Sequence, residues 1–101
     1  MSINSSVSAD GLTLTIQIEG RFAYAVHEEF RAAYHELEEK PKKVVVDMSG
    51  ADYLDSSALG MLLMLREHFS GDGSGISIEG ASSEIQRIFT VANFDQLFTL
   101  K

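Results

Sequence analysis

A chain of 101 residues suits one domain with a real core and is too short for two. Its composition, 45% hydrophobic and 23% charged, is that of an ordinary globular protein. The absence of cysteine excludes a disulfide scaffold, a thiolate metal site and a cysteine nucleophile. A formal net charge of −7 speaks against nucleic acid, because phosphate binding rests on clustered Lys and Arg.

The start, MSINSSVSADG, has neither a basic nor an apolar leader segment, so no signal peptide is expected. Met61–Leu65, with Ala58 and Leu59 just before it, is far short of the ~20 apolar residues of a membrane span. A cytoplasmic protein with no membrane association is therefore expected. Lys40, Lys42 and Lys43 form the one basic cluster and read as a solvated turn. An acidic surface favours solubility, or a partner with a basic patch.

In chain order, residues 1–10 read as an edge strand or a frayed terminus, and Asp10-Gly11 as a two-residue turn. Leu12, Leu14, Ile16 and Ile18 alternate with polar neighbours, which predicts a half-buried strand and the second arm of a hairpin. Gly20 ends it. From Tyr24 to Glu39 the period becomes helical, with Val26, Phe30, Ala33, Tyr34 and Leu37 on one stripe; Glu28, Glu29, Arg31, Glu36, Glu38 and Glu39 lie mostly off it. Pro41 stops this helix. Val44-Val45-Val46, lacking alternation, predicts a central strand buried on both faces and ending at Asp47. A short Ser/Gly/Asp loop follows.

A second helix is expected over Ser56–Phe69, closed by Ser70-Gly71. Ile76 and Ile78 mark a short strand. Ser83 with Gln86 reads as a capping box for a third helix with the stripe Ile85, Ile88, Phe89 and Ala92, ended by Asn93. Phe94, Leu97, Phe98 and Leu100 predict a last turn or strand on the core. The expected fold is therefore one α/β domain over residues 1–101. It has a mixed, mainly parallel sheet of four to five strands, an N-terminal antiparallel hairpin, right-handed crossovers and three main helices.

The second helix carries the chemistry. At 100° per residue, Ala58, Leu59, Leu62, Leu65, Arg66 and Phe69 share the face that should pack on the sheet. Ser56, Gly60, Leu63, Met64 and Glu67 share the opposite face, flanked by Ser57 and Met61. A plain surface helix would carry Lys, Glu or Gln there. Small and apolar residues instead imply either burial within the domain or cover by a partner. Ser56 and Ser57 open this helix at the rim of the sheet, where α/β folds place function. Exposed N–H groups and the positive end of the helix dipole tolerate added negative charge at that point. Phosphorylation of Ser56 would set about −1.5 to −2 charges beside the apolar face, near Asp52 and Asp55, and so weaken a partner's binding without unfolding the domain. Alternatively, Ser56 is only the helix cap, worth about 1 kcal/mol.

Asp47-Met48-Ser49-Gly50 and Asp55-Ser56-Ser57-Ala58-Leu59-Gly60 resemble a known family. With the third helix SSEIQRIFTVANF and the element order, residues 11–100 are similar to single-domain STAS proteins of the anti-sigma factor antagonist type, from bacterial partner-switching systems. The resemblance implies that Ser56, the first serine after the aspartate, is phosphorylated by a serine kinase of the histidine-kinase-like ATPase type that doubles as the anti-sigma factor. Unphosphorylated antagonist binds that protein and frees the sigma factor, and a PP2C-type phosphatase reverses the modification. The chain would be a kinase substrate and binding module without cofactor, with Asp55, Ser56, Ser57, Gly60, Met61, Leu63, Met64 and Glu67 as its partner surface. Two positions depart from the family. Ala58 stands where Gly is usual, and Gly20-Arg21-Phe22-Ala23 lacks the acid often found after the strand-ending glycine, which alters the charge beside the serine. Partner-switching modules also control targets other than sigma factors, so an assembly module with a different output is the alternative.

Other chemistries fit less well. A receiver-like domain phosphorylated on Asp47 needs an acidic pair ending the first strand, which is missing, and a late lysine, for which only Lys101 qualifies. A hydrolase using Ser56 or Ser57 lacks the G-x-S-x-G elbow, and no spacing marks His27, His35 or His68 as its base. Asp47, Asp52 and Asp55 read as loop acids rather than a Mg²⁺ site. Gly71, Gly73 and Gly75 follow a helix and precede a strand, the wrong order for a phosphate loop.

Overall fold

The computed structural model describes residues 3–35, 37, 41–69 and 75–101. Five strands, β1 (Ile3–Val7), β2 (Thr13–Phe22), β3 (Lys43–Leu54), β4 (Ile76–Glu79) and β5 (Thr99–Leu100), form one sheet in sequential order. β1 and β2 are antiparallel, and every later pair is parallel. Three helices connect them: α1 (His27–His35), α2 (Ser56–His68) and α3 (Ser83–Val91). Mixed α/β architecture with an antiparallel N-terminal edge is thus as the periodicity implied.

Several local expectations are corrected. The β1–β2 connection spans residues 8–12 rather than two residues, because Asp10 Oδ1 accepts from both Ser8 Oγ at 2.6 Å and the Leu12 amide at 3.0 Å. Those bonds stabilise a wider turn and leave Leu12 outside the strand and exposed. Gly20 does not end β2. Its φ of 76°, where a side chain would be strained, sits between register shifts, and the strand resumes to bury Phe22. This longer β2 in turn pairs with residues beyond Asp47: Glu19 with Gly50, Gly20 with Ala51, Phe22 with Leu54. Tertiary pairing thus makes strand of a segment whose composition reads as loop. β3 is also not buried on both faces, since Val44, Val46 and Met48 are sealed while Val45 and Asp47 are only half-buried.

The core lies on one side of the sheet. Leu14, Ile16 and Ile18 from β2, Val44, Val46 and Met48 from β3, and Ile76 and Ile78 from β4 form one cluster with Phe30 and Tyr34 of α1, Leu62 and Leu65 of α2, and Ile85 and Phe89 of α3. Each such side chain stabilises the fold by roughly 1.5–3 kcal/mol on burial. A one-turn helix over Tyr24–Val26 leads into α1. The predicted continuation through Glu36, Glu38 and Glu39, Lys40 of the basic cluster, the Ser70-Gly71 stop and Gly73 lie outside the described residues. α3 is capped one residue earlier than expected: Ser82 Oγ accepts from the Ile85 amide at 3.2 Å, and Gln86 Nε2 donates to the Ala81 carbonyl at 2.7 Å. Asn93, left-handed at φ 62°, ends that stretch. Phe94 then stacks on Phe89 at 5.6 Å before β5 closes the sheet.

Candidate functional site

β3 ends at Leu54 and α2 begins at Ser56, so Asp55 alone makes the corner. Extended at φ −116° and ψ −179°, it is the helix cap: its Oδ1 accepts from the Ala58 amide at 3.1 Å. The same oxygen takes the Ser57 hydroxyl proton at 2.6 Å. That bond from Ser57, foremost, holds the Asp55 carboxyl below its usual range, with the Ala58 and Ser57 amides and Arg21 adding to it against desolvation. The capping role considered for Ser56 therefore belongs to Asp55. Ser56 is the first helical residue and is exposed, and its hydroxyl has no hydrogen-bond partner among the described residues. A phosphoryl group there would meet solvent and the positive end of the helix dipole.

Along α2, Ala58, Leu62 and Leu65 are completely buried. Ser56, Gly60, Leu63, Met64 and Glu67 lie exposed on the other side, with Leu63 at 38% and Met64 at 60%. Among the described residues, the domain's own helices therefore leave the apolar outer face uncovered. Met61 is a correction. Expected to flank the open face, it is only 7% exposed, because α1 packs alongside α2 there. Met61 lines, with His27, Phe30, Tyr34 and Met64, a small cavity of about 40 Å³ between the two helices. Gly60 has nothing within 4 Å of where a Cβ would stand. A mid-helix glycine costs about 0.5–1 kcal/mol relative to alanine, and packing inside the chain gives no reason for it.

The rim beside Asp55 carries a pair that sequence reading missed. Arg21 and Tyr53 are register partners on β2 and β3, and the Arg21 guanidinium lies 3.9 Å above the Tyr53 ring. Tyr53 meets Arg21 only through the bulged register of β2 and β3, which no periodicity in the sequence signals. Ala58 is fully buried at the α2 start, and Ala23 precedes the one-turn helix at Tyr24–Val26.

The remaining candidates are dispersed. Asp47 is turned to Ser49, whose amide and hydroxyl both donate to Oδ1, at 3.0 and 2.7 Å. Among the described residues no group of three or more His, Cys, Asp or Glu could hold a metal, so Asp47, Asp52 and Asp55 are not brought together. His27 Nδ1 bonds the Tyr24 carbonyl and His35 lies against Arg31. His68 ends α2, about 18 Å along the axis from Ser56 at 1.5 Å per residue. No helix among the described residues is long and apolar enough to cross a membrane.

Residues 5–100 match the family model described as "Mlab, STAS domain". A STAS-domain containing protein of Pseudomonas aeruginosa is 49% identical over 100 residues, covering 99% of both chains. Among solved structures, the STAS domain of an anti-sigma factor antagonist from Rhodobacter sphaeroides is 33% identical, with a TM-score of 0.62 over 80% of this chain and 90% of that one. The Bacillus cell fate determinant SpoIIAA in its phosphorylated form shares the fold at 13% identity, with a TM-score of 0.73 over 98% and 90% of the respective chains.

Proposed function

Since this chain belongs to the STAS domain family, we propose that it is a phosphorylation-switched protein-binding regulator of the anti-sigma factor antagonist type. The unmodified form binds an anti-sigma factor that is also a serine kinase of the histidine-kinase-like ATPase type, and thereby releases that protein's target. Phosphorylation of Ser56 blocks the contact, and a PP2C-type phosphatase restores it. The chain itself is not a catalyst and works in the cytoplasm, where such partners operate. Asp55, Ser56, Ser57, Gly60, Leu63, Met64 and Glu67 form the binding face, with Met61 supporting it from below.

One observation carries this reading: the Ser56 hydroxyl is exposed, with no partner among the described residues, at the head of a helix whose outer face exposes Leu63 and Met64. A partner that desolvates those side chains would meet an uncompensated dianion at the helix start, next to Asp55 and Asp52. Two relatives in fold support it, one an anti-sigma factor antagonist and one that takes a phosphorylated form.

Co-purification with wild type, Ser56→Ala and Ser56→Asp tests it. Ser56→Ala should keep the partner and Ser56→Asp should lose it, with all three chains folded. Equal recovery by both variants would overturn the switch. Recovery of a partner unrelated to sigma factors, still lost with Ser56→Asp, would identify a non-sigma output of the same switch.

A further inference from the structure

The corner that carries Ser56 is tied to β2 as well as to α2. The Asp55 amide donates to the Phe22 carbonyl at 3.4 Å, so Arg21 sits one residue from the backbone that holds the corner. Leu54 is buried, and the extended backbone of Asp55 continues the strand alternation. The Asp55 carboxylate therefore lies on the same side as Tyr53. Arg21 is the register partner of Tyr53 and holds its guanidinium 3.9 Å above that ring. We propose that Arg21 is the internal counter-ion of the phosphorylated switch: once Ser56 carries a phosphoryl group, the guanidinium turns from Tyr53 to bind its oxygens beside Asp55.

This inference rests on the reading of Ser56 as the modified residue and adds the side chain that receives its charge. A phosphoryl group on Ser56 stands next to a carboxylate that is ionised at neutral pH. Asp55 is held low chiefly by the Ser57 hydroxyl, and the positive charge of Arg21 adds to it. Anions so close repel, and a cation between them removes much of that repulsion. Arg21 is exposed, and its N–H donors have no hydrogen-bond partner among the described residues.

Stacking on an exposed ring holds a cation only weakly. A guanidinium on phosphate instead makes two parallel charge-assisted hydrogen bonds, so the exchange favours the phosphoryl group. A lysine at this position would match the charge but not the fork. Arg21 offsets one of the roughly three negative charges that the phosphoryl group and Asp55 bring together. The excess still confronts a partner at α2, so the contact steadies the modified form without cancelling the switch.

The full chain with phosphoserine inserted genetically at position 56 tests this without kinase or partner. Its phosphorus NMR signal, followed against pH, should give a second phosphate pKa about half a pH unit or more below that of the same chain carrying Arg21→Gln. Arg21→Lys should fall between them, with circular dichroism showing all three folded. The Arg21 Nε–H resonance should also shift on phosphorylation. Equal phosphate pKa values in wild type and Arg21→Gln would overturn the proposal and leave the helix dipole alone to hold the charge. An Nε–H resonance that phosphorylation leaves unmoved would overturn it equally. Partner binding that ignores phosphorylation would sink the switch and leave this contact standing, so the two failures are distinct.

Discussion

The Ser57 hydroxyl donates to Asp55 Oδ1 at 2.6 Å, and the same oxygen caps α2 through the Ala58 amide. Two adjacent serines thus have different standing: Ser57 is bonded to the capping carboxylate, while the Ser56 hydroxyl has no partner among the described residues. Phosphorylation of Ser57 would remove the proton that its hydroxyl donates to Asp55 and set a dianion against an ionised carboxylate. Phosphosite mapping after reaction with the cognate kinase should therefore place the phosphate on Ser56. Ser57→Ala should still be modified, with a somewhat lowered thermal midpoint, and Ser56→Ala should not be.

Gly60 offers a test in which stability and binding move in opposite directions. With open space where its Cβ would stand, Gly60→Ala should stabilise the free domain by about 0.5–1 kcal/mol through helix propensity. If a partner backbone approaches α2 closely there, the added methyl should weaken the complex. Denaturant unfolding and partner titration on the same variant measure both effects.

The two methionines should separate in the same way. Met61, buried against α1, should cost ~2–5 kcal/mol of stability as Met61→Ala. Met64, 60% exposed, should change stability by no more than about 0.5 kcal/mol. Met64→Ala should nonetheless weaken partner binding by more than about 1 kcal/mol, as expected of an anchor at the centre of an interface.

Three aspartates, Asp10 in the β1–β2 turn, Asp47 in β3 and Asp55 at the α2 cap, share one device and one pH response. Asp10 is lowered chiefly by the Ser8 hydroxyl, Asp47 by the Ser49 amide and Asp55 by the Ser57 hydroxyl, each below an ordinary value of 3.8. Carboxyls depressed in the folded state favour folding above 3.8, and that contribution is lost as pH falls from 3.8 through the lowered values. The contribution of these carboxyls to the thermal midpoint should therefore be lost below pH 3.8. Asp47→Asn and Asp55→Asn should each shallow that loss.

The sequence made some features legible and hid others for physical reasons. β2 and α3 could be read because one buried face imposes a period on the chain, seen in Leu14, Ile16 and Ile18 and in Ile85 and Phe89. The far half of β3 could not, since Ser49, Gly50 and Asp52 have turn chemistry and become strand only by pairing with the bulged end of β2. The α3 cap was displaced by one residue because Ser82 and Ser83 are chemically equivalent and only backbone conformation chooses between them. Met61 was misplaced because a helical wheel carries no information about a neighbouring helix. At the start of α2 the Asp-Ser-Ser motif was legible, but not which oxygen would cap it. Arg21 over Tyr53 is a product of topology alone.

The central claim is that a phosphoryl group on Ser56 decides whether α2 can be covered. Calorimetric titration of the purified partner with the unmodified chain and with the chain phosphorylated on Ser56 tests it most directly, with circular dichroism confirming the fold of both. The account predicts tight binding by the unmodified chain and at least about a hundredfold weaker binding by the phosphorylated one, a difference of ~2.7 kcal/mol. Equal affinity of the two forms would contradict it.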